Sequence, residues 1–532
     1  MPLSISNRRP VLIAIIFATI SIIHIRHNID LTSSFQQDGT TINRSLQLPS
    51  STRSQQSLPI ATAGYAISIT ACGPKLAHRL FDAAAVLKRS IELNSYPIHN
   101  TSKYAAKFYA FILKQPNNDG WPDNDKCYQI LRMAGWKMVP QDPPLFPSLI
   151  QEPPGSILKM GIQSDGCCGD NELIKLATYK LLDHEFAIHL DLDTLVTYPL
   201  DELYDVMYFD HRTNEGRQAR VQLAQVVAPT YINRRLTGNP ASSGDSDTND
   251  LVNTTTIIDL LSNITVDAYF TKDYNMIRPG QESQKVGVQG GFLLVRPSMA
   301  VYSHLLHLVY SGEFYSGFDA RTSGWFKKGY GRHIWGSMTI QGLMAYYFDV
   351  EQLETSVELN RCRYNNIADN ARVSGFARNP KYPRCSLLPF IRNASNPRYN
   401  FDDKQCRDGR STCDDTDCQR FPLAKSRVLH YTYCKAPWKC NGCEYLETYK
   451  ESTCYAMERE WFRVRNTIPG EEGERNLADV KGDDKGPLSY IRDDGVVELR
   501  EGNCYKEFFL GYCLDNGGYG KLLLDLCSLY VL

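Results

Sequence analysis

Asp191 and Asp193, in the run His189-Leu-Asp-Leu-Asp-Thr-Leu-Val196, carry the most pointed chemistry in the chain. An apolar strand, Phe186-Ala-Ile-His-Leu190, leads straight into them. In an extended segment alternate side chains share a face, so two carboxylates one residue apart point the same way. At the rim of a sheet such a pair can bind a hard divalent cation, and that cation can clamp a diphosphate. The spacing alone is weak evidence, because a solvated loop after a strand shows it too. Asp123-x-Asp125, Asp245-x-Asp247 and Asp415-x-Asp417 repeat it in polar, turn-rich surroundings with no strand leading in.

The elements that must position this pair alternate between strand and helix. Ala66–Thr70 reads as a strand, Arg79–Leu93 as a helix and Lys107–Leu113 as a strand. Cys127–Ala134 reads as a helix, Trp136–Val139 as a strand, Leu173–Leu182 as a helix and Phe186–Leu190 as a strand. That alternation predicts an α/β fold, a largely parallel sheet with helices on both faces. Ligands of such folds gather at the carboxyl ends of the strands, where Thr70, Asp191 and Asp193 fall. With 532 residues and 42% apolar content the chain can bury a substantial core, and its net charge of −1 is no footprint for nucleic acid.

The run from Lys175 through Asp191-Leu-Asp-Thr-Leu-Val196, with Leu200-Asp-Glu-Leu-Tyr-Asp205 behind it, resembles the glycogenin-like family 8 glycosyltransferases. Further blocks follow in the family's order. Tyr65-Ala-Ile-Ser-Ile-Thr70 resembles the first nucleotide-binding strand, and Ala84-Val-Leu-Lys-Arg-Ser90 the helix after it. Val288-Gln-Gly-Gly-Phe-Leu-Leu-Val-Arg-Pro-Ser298, Gln341-Gly-Leu-Met-Ala-Tyr-Tyr-Phe348 and Val428-Leu-His-Tyr-Thr-Tyr-Cys-Lys-Ala-Pro-Trp438 are similar to later family blocks. The shared order over 64–438 is more specific than any single block.

The resemblance implies a GT-A nucleotide-diphospho-sugar transferase fold and retaining, metal-dependent transfer of a hexose from a UDP-sugar. It implies Asp191, Asp193 and His430 as ligands of a divalent metal, usually Mn2+, with Asp191 also near the ribose. Lys175, Ile69, Thr70, Gly290, Gly291 and Lys435 take donor-binding positions. Gln289 stands where the family has Asn, and Gln341 matches the amide nearest the reactive sugar face. Asp193 counts with the two glutamines among the residues expected to carry catalysis. A leaving phosphate oxygen takes the acceptor's proton in the usual account of retention, so no strong protein base is expected. The chain departs from the pattern at Ile340, where the family often has Asp, and at Tyr433 and Ala436, with Lys435 one place early. Without the resemblance, His430 reads as a hydrogen-bonded core histidine and Lys175 as a solvated charge.

Val11–Ile25 is apolar apart from Thr19, Ser21 and His24, with Arg8-Arg9 ahead and Arg26 behind. It reads as an uncleaved signal anchor with a cytoplasmic N-terminus, or alternatively a cleaved signal peptide. The expected order is a cytoplasmic tip and anchor over 1–28 and a Ser/Thr/Gln-rich stem over 29–63. A catalytic domain over 64–465 and a linker with a small Cys-containing tail over 466–532 follow. Residues 211–285 lie outside the family pattern and read as a tolerated surface insertion. Sequons at Asn43, Asn100, Asn253, Asn263 and Asn393 fit a glycoprotein of the Golgi or ER membrane with a lumenal catalytic domain. Seven of the sixteen cysteines crowd 406–454. Behind an anchor they read as disulfides; Cys440-Asn-Gly-Cys443 as a zinc site is the alternative. Two readings from other classes compete with the enzyme: an inactive, lectin-like protein on the same fold, and a disulfide-rich extracellular module binding zinc or calcium at Cys413–Cys418. Among acceptors, a glycan, a lipid and a protein all stay open.

Overall fold

The computed structural model describes residues 58–70, 77–99, 101–114, 128, 131–132, 134–237, 254–274, 285–316, 323–330, 335–372, 406, 413–434, 436–439, 452–465, 467–468, 489–491 and 497–499. The expected anchor, the expected stem before Leu58, Lys435, and the cysteines at 440 and 443 lie outside these residues; the last three residues of the expected stem, 61–63, are strand instead. Among the described residues no helix is long and apolar enough to cross a membrane.

The strands in chain order are β1 (Ala61–Ile69), β2 (Tyr104–Leu113), β3 (Lys137–Gln141), β4 (Ala187–Leu190), β5 (Thr194–Val196), β6 (Ala268–Lys272) and β7 (Val288–Val295). After them come β8 (Phe314–Tyr315), β9 (Gly324–Trp325), β10 (Ser356–Glu358), β11 (Val428–His430), β12 (Ser489–Ile491) and β13 (Val497–Leu499). Seven of them form one sheet in the order β10-β6-β7-β4-β1-β2-β3. β1 pairs in parallel with β2 and β4, β2 with β3, and β10 with β6; β7 runs antiparallel to both β4 and β6. The fold is therefore mixed α/β on a mostly parallel sheet, as the alternation predicts. Every residue of β4 and β7 is buried, which is why Ala-Ile-His-Leu and Val-Gln-Gly-Gly-Phe-Leu-Leu-Val lack a polar face.

Helix Ala77–Leu93 presents Leu80, Ala84, Leu87 and Ile91 to the core at three- and four-residue intervals. On the other side of the sheet, helix Ile340–Tyr346 and the helical segment Gly169–Lys180 pack their apolar residues against β6 and β7. That segment is 3₁₀ rather than the expected α-helix, and it runs for 12 residues, where such helices usually last three or four.

Residues 211–285 correct the expectation of a surface insertion. They supply helices Asn214–Ala224, Pro229–Thr237 and Thr254–Ser262, and β6 itself, flanked in the sheet by β10 and β7. Leu223, Tyr231, Leu261 and Tyr269 belong to the main core. Arg234 and Lys272 also join a buried charge quartet. Arg234 Nη2 lies 2.5 Å from Glu358 Oε2 and 3.3 Å from Asp349 Oδ1, and Lys272 Nζ lies 2.5 Å from Asp349 Oδ2. Two cations and two anions neutralise one another there, the condition under which buried charge is tolerated.

Among the described residues three disulfides, Cys362–Cys418, Cys406–Cys413 and Cys434–Cys454, cross-link the late part of the chain. Six of the late cysteines are thereby in disulfides, five of them from the 406–454 cluster. Cys413 and Cys418 have no thiolate to offer a metal, so the zinc reading of that segment fails.

Candidate metal and donor site

β4 ends at Leu190, and Asp191 follows with its N–H donating to Gly291 O at 3.1 Å. The chain then turns. Thr194 N and Thr194 Oγ1 both donate to Asp191 O, at 3.1 and 2.7 Å. The two carboxylates are thus brought together by a tight turn between β4 and β5 rather than by strand alternation.

β5 pairs antiparallel with β11, setting His430 opposite Thr194, and Tyr431 N donates to Asp193 O at 2.8 Å. This short ladder carries His430, from the far end of the chain, to the carboxylates. Its Nε2 lies 3.2 Å from Asp193 Oδ1 and 4.0 Å from Asp191 Oδ2. One ligand atom from each of Asp191, Asp193 and His430 falls within 4.8 Å of the others.

The ring is held from behind by Asn365, which no sequence pattern indicated. Asn365 Nδ2 donates to Thr271 Oγ1 at 3.0 Å and to Gln289 Oε1 at 3.3 Å, which turns Oδ1 toward His430 Nδ1 at 3.0 Å. An amide oxygen only accepts, so Nδ1 carries a proton, and Nε2, turned toward Asp193 and the Thr432 hydroxyl 2.7 Å away, is the nitrogen whose lone pair the neutral ring can offer a metal. Two carboxylates and one imidazole nitrogen make a mixed oxygen–nitrogen donor set. Such a set suits Mn2+ better than Mg2+, which favours oxygen alone.

Lys175 leaves the 3₁₀ helix with Nζ 2.7 Å from Asp191 Oδ1 and 3.3 Å from Gly290 O. Burial opposes its charge, but Asp191 and Glu172 raise its pKa above the ordinary lysine value. Burial likewise opposes ionisation of Asp191, yet Lys175, His189 and His430 hold its carboxyl below the usual range. For His430, burial is outweighed by the Asp193 and Asp191 carboxylates, and its pKa is raised. Below the pair, buried His189 is pushed down to about 3 by burial and by the Lys175 charge.

The remaining expected residues close around this centre. A Cβ on Gly290 would lie 3.1 Å from Ile340 Cγ2, 3.4 Å from Lys175 Nζ and 4.0 Å from Gln341 Cγ. Gln341, in the first turn of helix Ile340–Tyr346, is buried, and its Oε1 has no hydrogen-bond partner among the described residues. An orphaned carbonyl of this kind suits a hydroxyl supplied from outside the protein. Gln289 differs from expectation: its Oε1 already accepts from Gly291 N at 2.5 Å and from Asn365. Its carbonyl therefore braces the site rather than facing outward. Ile69 is the buried last residue of β1, and Thr70 follows it.

The fold and the site together define a mixed α/β protein with a carboxylate–imidazole cluster at the carboxyl edge of its sheet. Among solved structures the chain is similar to the galactosyltransferase LgtC in complex with donor and acceptor sugar analogues. Identity is 12% and the TM-score 0.32, over 77% of this chain and 98% of that one. It is also similar to mouse xyloside xylosyltransferase 1, at 11% identity and a TM-score of 0.31 over 71% and 99%. A third is the glycosyltransferase GlyE of Streptococcus pneumoniae TIGR4, at 12% and 0.31 over 76% and 60%. Likenesses at these TM-scores carry no weight for function, which is read from the chain's own residues. No family model and no curated protein matches the sequence.

Proposed function

We propose that the chain is a glycosyltransferase that moves a hexose from a UDP-sugar to a glycan, lipid or protein acceptor, with retention of configuration and with Mn2+. The observation that carries this reading is the convergence of Asp191, Asp193 and His430 beside Lys175 at the carboxyl edge of the sheet. Bound between the two carboxylates and His430 Nε2, Mn2+ would neutralise the charge that grows on a departing diphosphate.

The protein's own groups divide the remaining work. Lys175 adds a fixed positive charge where the diphosphate would lie. Asp191, held ionised by that lysine, is a ligand rather than a proton carrier. Ile69 and Thr70 end the first strand where a nucleotide would enter. Gly290 lets a sugar approach the backbone of β7, Gly291 makes room for the His430 ring, and the free Oε1 of Gln341 accepts from one of the sugar's hydroxyls. Three disulfides support placement in an oxidising compartment. With the apolar Val11–Ile25 run, they favour a type II protein of the Golgi or ER membrane with its catalytic part in the lumen.

Incubating the chain with Mn2+ and a panel of UDP-sugars, and following release of UDP, tests the reading. One donor should be hydrolysed or transferred, and Asp193→Ala should abolish turnover while leaving the thermal unfolding profile intact. Activity that persists in excess EDTA, or an Asp193→Ala variant near wild type, would overturn it.

A further inference from the structure

Two cysteines that the proposed mechanism leaves idle sit against the same site. Cys167 and Cys168 are free thiols, the first exposed and the second half-buried, with sulfurs 2.7 Å apart. Their loop is fixed on every side. Cys167 N donates to Glu172 Oε1 at 2.9 Å, and Gly169 N to Asp165 O at 3.1 Å. Asp165 Oδ2 accepts from Met338 N at 2.5 Å, on the segment leading into Gln341. Gly166, at φ +72°, lies so close to the Gly336 backbone that a Cβ would stand 3.3 Å from Gly336 Cα. The Thr70 hydroxyl and the Lys175 charge both favour the thiolate of Cys168. One loop thus touches the ends of three elements that carry donor-site residues.

Glu172 lies within 4.8 Å of both sulfurs, so the three could form a metal group. Two thiolates on one tetrahedral zinc stand about 3.8 Å apart, given zinc–sulfur bonds of about 2.3 Å. At 2.7 Å these sulfurs are nearer to bonding each other than to sharing an ion.

We propose that Cys167 and Cys168 are a redox-active pair that closes to a vicinal disulfide and transmits its state to the diphosphate position through Thr70 and Lys175. The coupling rests on the donor-site reading of Thr70 and Lys175. The Cys168 thiolate attacks one sulfur of a small disulfide of the glutathione type; that S–S bond breaks and one small thiolate leaves, taking a proton from water. Cys167 then loses its proton to water and attacks the Cys168 sulfur of the mixed disulfide, expelling the second small thiol. The protein pair gives up two electrons, and the small disulfide takes them. Cys168 is the better nucleophile. The Cys167 hydrogen bond, helped against burial by Thr70 and Lys175, draws its pKa down to about 6, while the bond to Cys168 raises that of Cys167.

In the reduced protein a thiolate competes with the diphosphate for the Lys175 charge; in the oxidised protein that negative charge is gone. UDP with Mn2+ should bind the oxidised form roughly tenfold tighter, the order of effect expected when one nearby negative charge is removed from a partly screened pocket. The test equilibrates the full chain in reducing and oxidising glutathione buffers, alkylates it, and maps peptides by mass. UDP affinity in Mn2+ is measured by calorimetry on the same samples. The 167–168 peptide should lose two hydrogens and resist alkylation only when oxidised. Cys168→Ser should bind UDP as tightly as oxidised wild type in both buffers, and Cys167→Ser in reducing buffer should stay at the weak affinity. Full alkylation of both thiols in oxidising buffer overturns the proposal, as does pairing of either with another cysteine or one zinc per reduced chain held by them. Equal UDP affinity in the two states overturns the coupling. Failure to bind UDP in either state, with the disulfide formed, instead sinks the donor-site reading and the coupling with it; free thiols with UDP bound sink the pair alone.

Discussion

A histidine ring has two nitrogens, and Asn365 decides which one of His430 faces the carboxylates. Its two amide donors are committed to Thr271 and Gln289, so its oxygen must take the Nδ1 proton. Removing it frees the ring to turn or to adopt the other tautomer. Asn365→Ala should weaken Mn2+ binding about 10- to 100-fold, and Asn365→Asp, which keeps an acceptor, should recover most of the loss. A paramagnetic resonance titration of free Mn2+ measures both. Asp191, Asp193, Lys175 and His430 were legible because each stands in a block whose order along the chain carries information. Asn365 was not, because its partners lie 65 to 94 residues away and nothing in its neighbours marks it. Gln289 was legible as a site residue, but its role was not: whether an amide faces a sugar or its own backbone is settled by packing.

At the scale of elements, the site depends on how closely β7 approaches β11. A Cβ on Gly291 would stand 2.8 Å from His430 Nδ1 and 2.9 Å from Gln289 Oε1, closer than real contacts allow. Gly291→Ala should displace His430 and abolish Mn2+ binding. In Gly290→Ala the nearest atoms are 3.1 Å or more away, so it should keep the metal and bind UDP more weakly; calorimetry with each ligand separates the two. The strand-and-helix alternation up to β4 was readable because short β-branched runs and helical faces differ in period. β6 escaped notice for the opposite reason: Ala-Tyr-Phe-Thr-Lys is buried throughout and shows no alternation. Its lysine is buried with the rest of the strand, where Asp349 neutralises it. The turn that joins Asp191 to Asp193 was likewise hidden, since a strand and a tight turn both converge the pair.

For the molecule as a whole, stability should fall in acid through His189. Its folded value of about 3 lies below the ordinary 6.5, so between those limits the unfolded chain binds one more proton. The contribution is complete above about pH 6.5 and is lost as the pH falls toward 3, at about 1.4 kcal/mol per pH unit. Thermal midpoints from about pH 7 to about pH 5 should fall less steeply in His189→Gln than in wild type. A second whole-molecule prediction concerns Cys434–Cys454, which ties the loop after β11 to helix Thr453–Arg465 across 20 residues. Replacing both cysteines with alanine should lower the unfolding free energy by about 3 kcal/mol, read from urea denaturation.

The β5–β11 ladder also sets a timetable. Asp193 and His430 are 430 − 193 = 237 positions apart, yet the pairing of β5 with β11 brings them together. A chain made from its N-terminus folds its early part first. The carboxylates are therefore in place long before their third partner exists. On the proposed reading, a nascent or truncated chain ending short of β11 holds a sheet edge with two of the three metal ligands. The full ligand set of the proposed metal site is thus completed only late in biosynthesis.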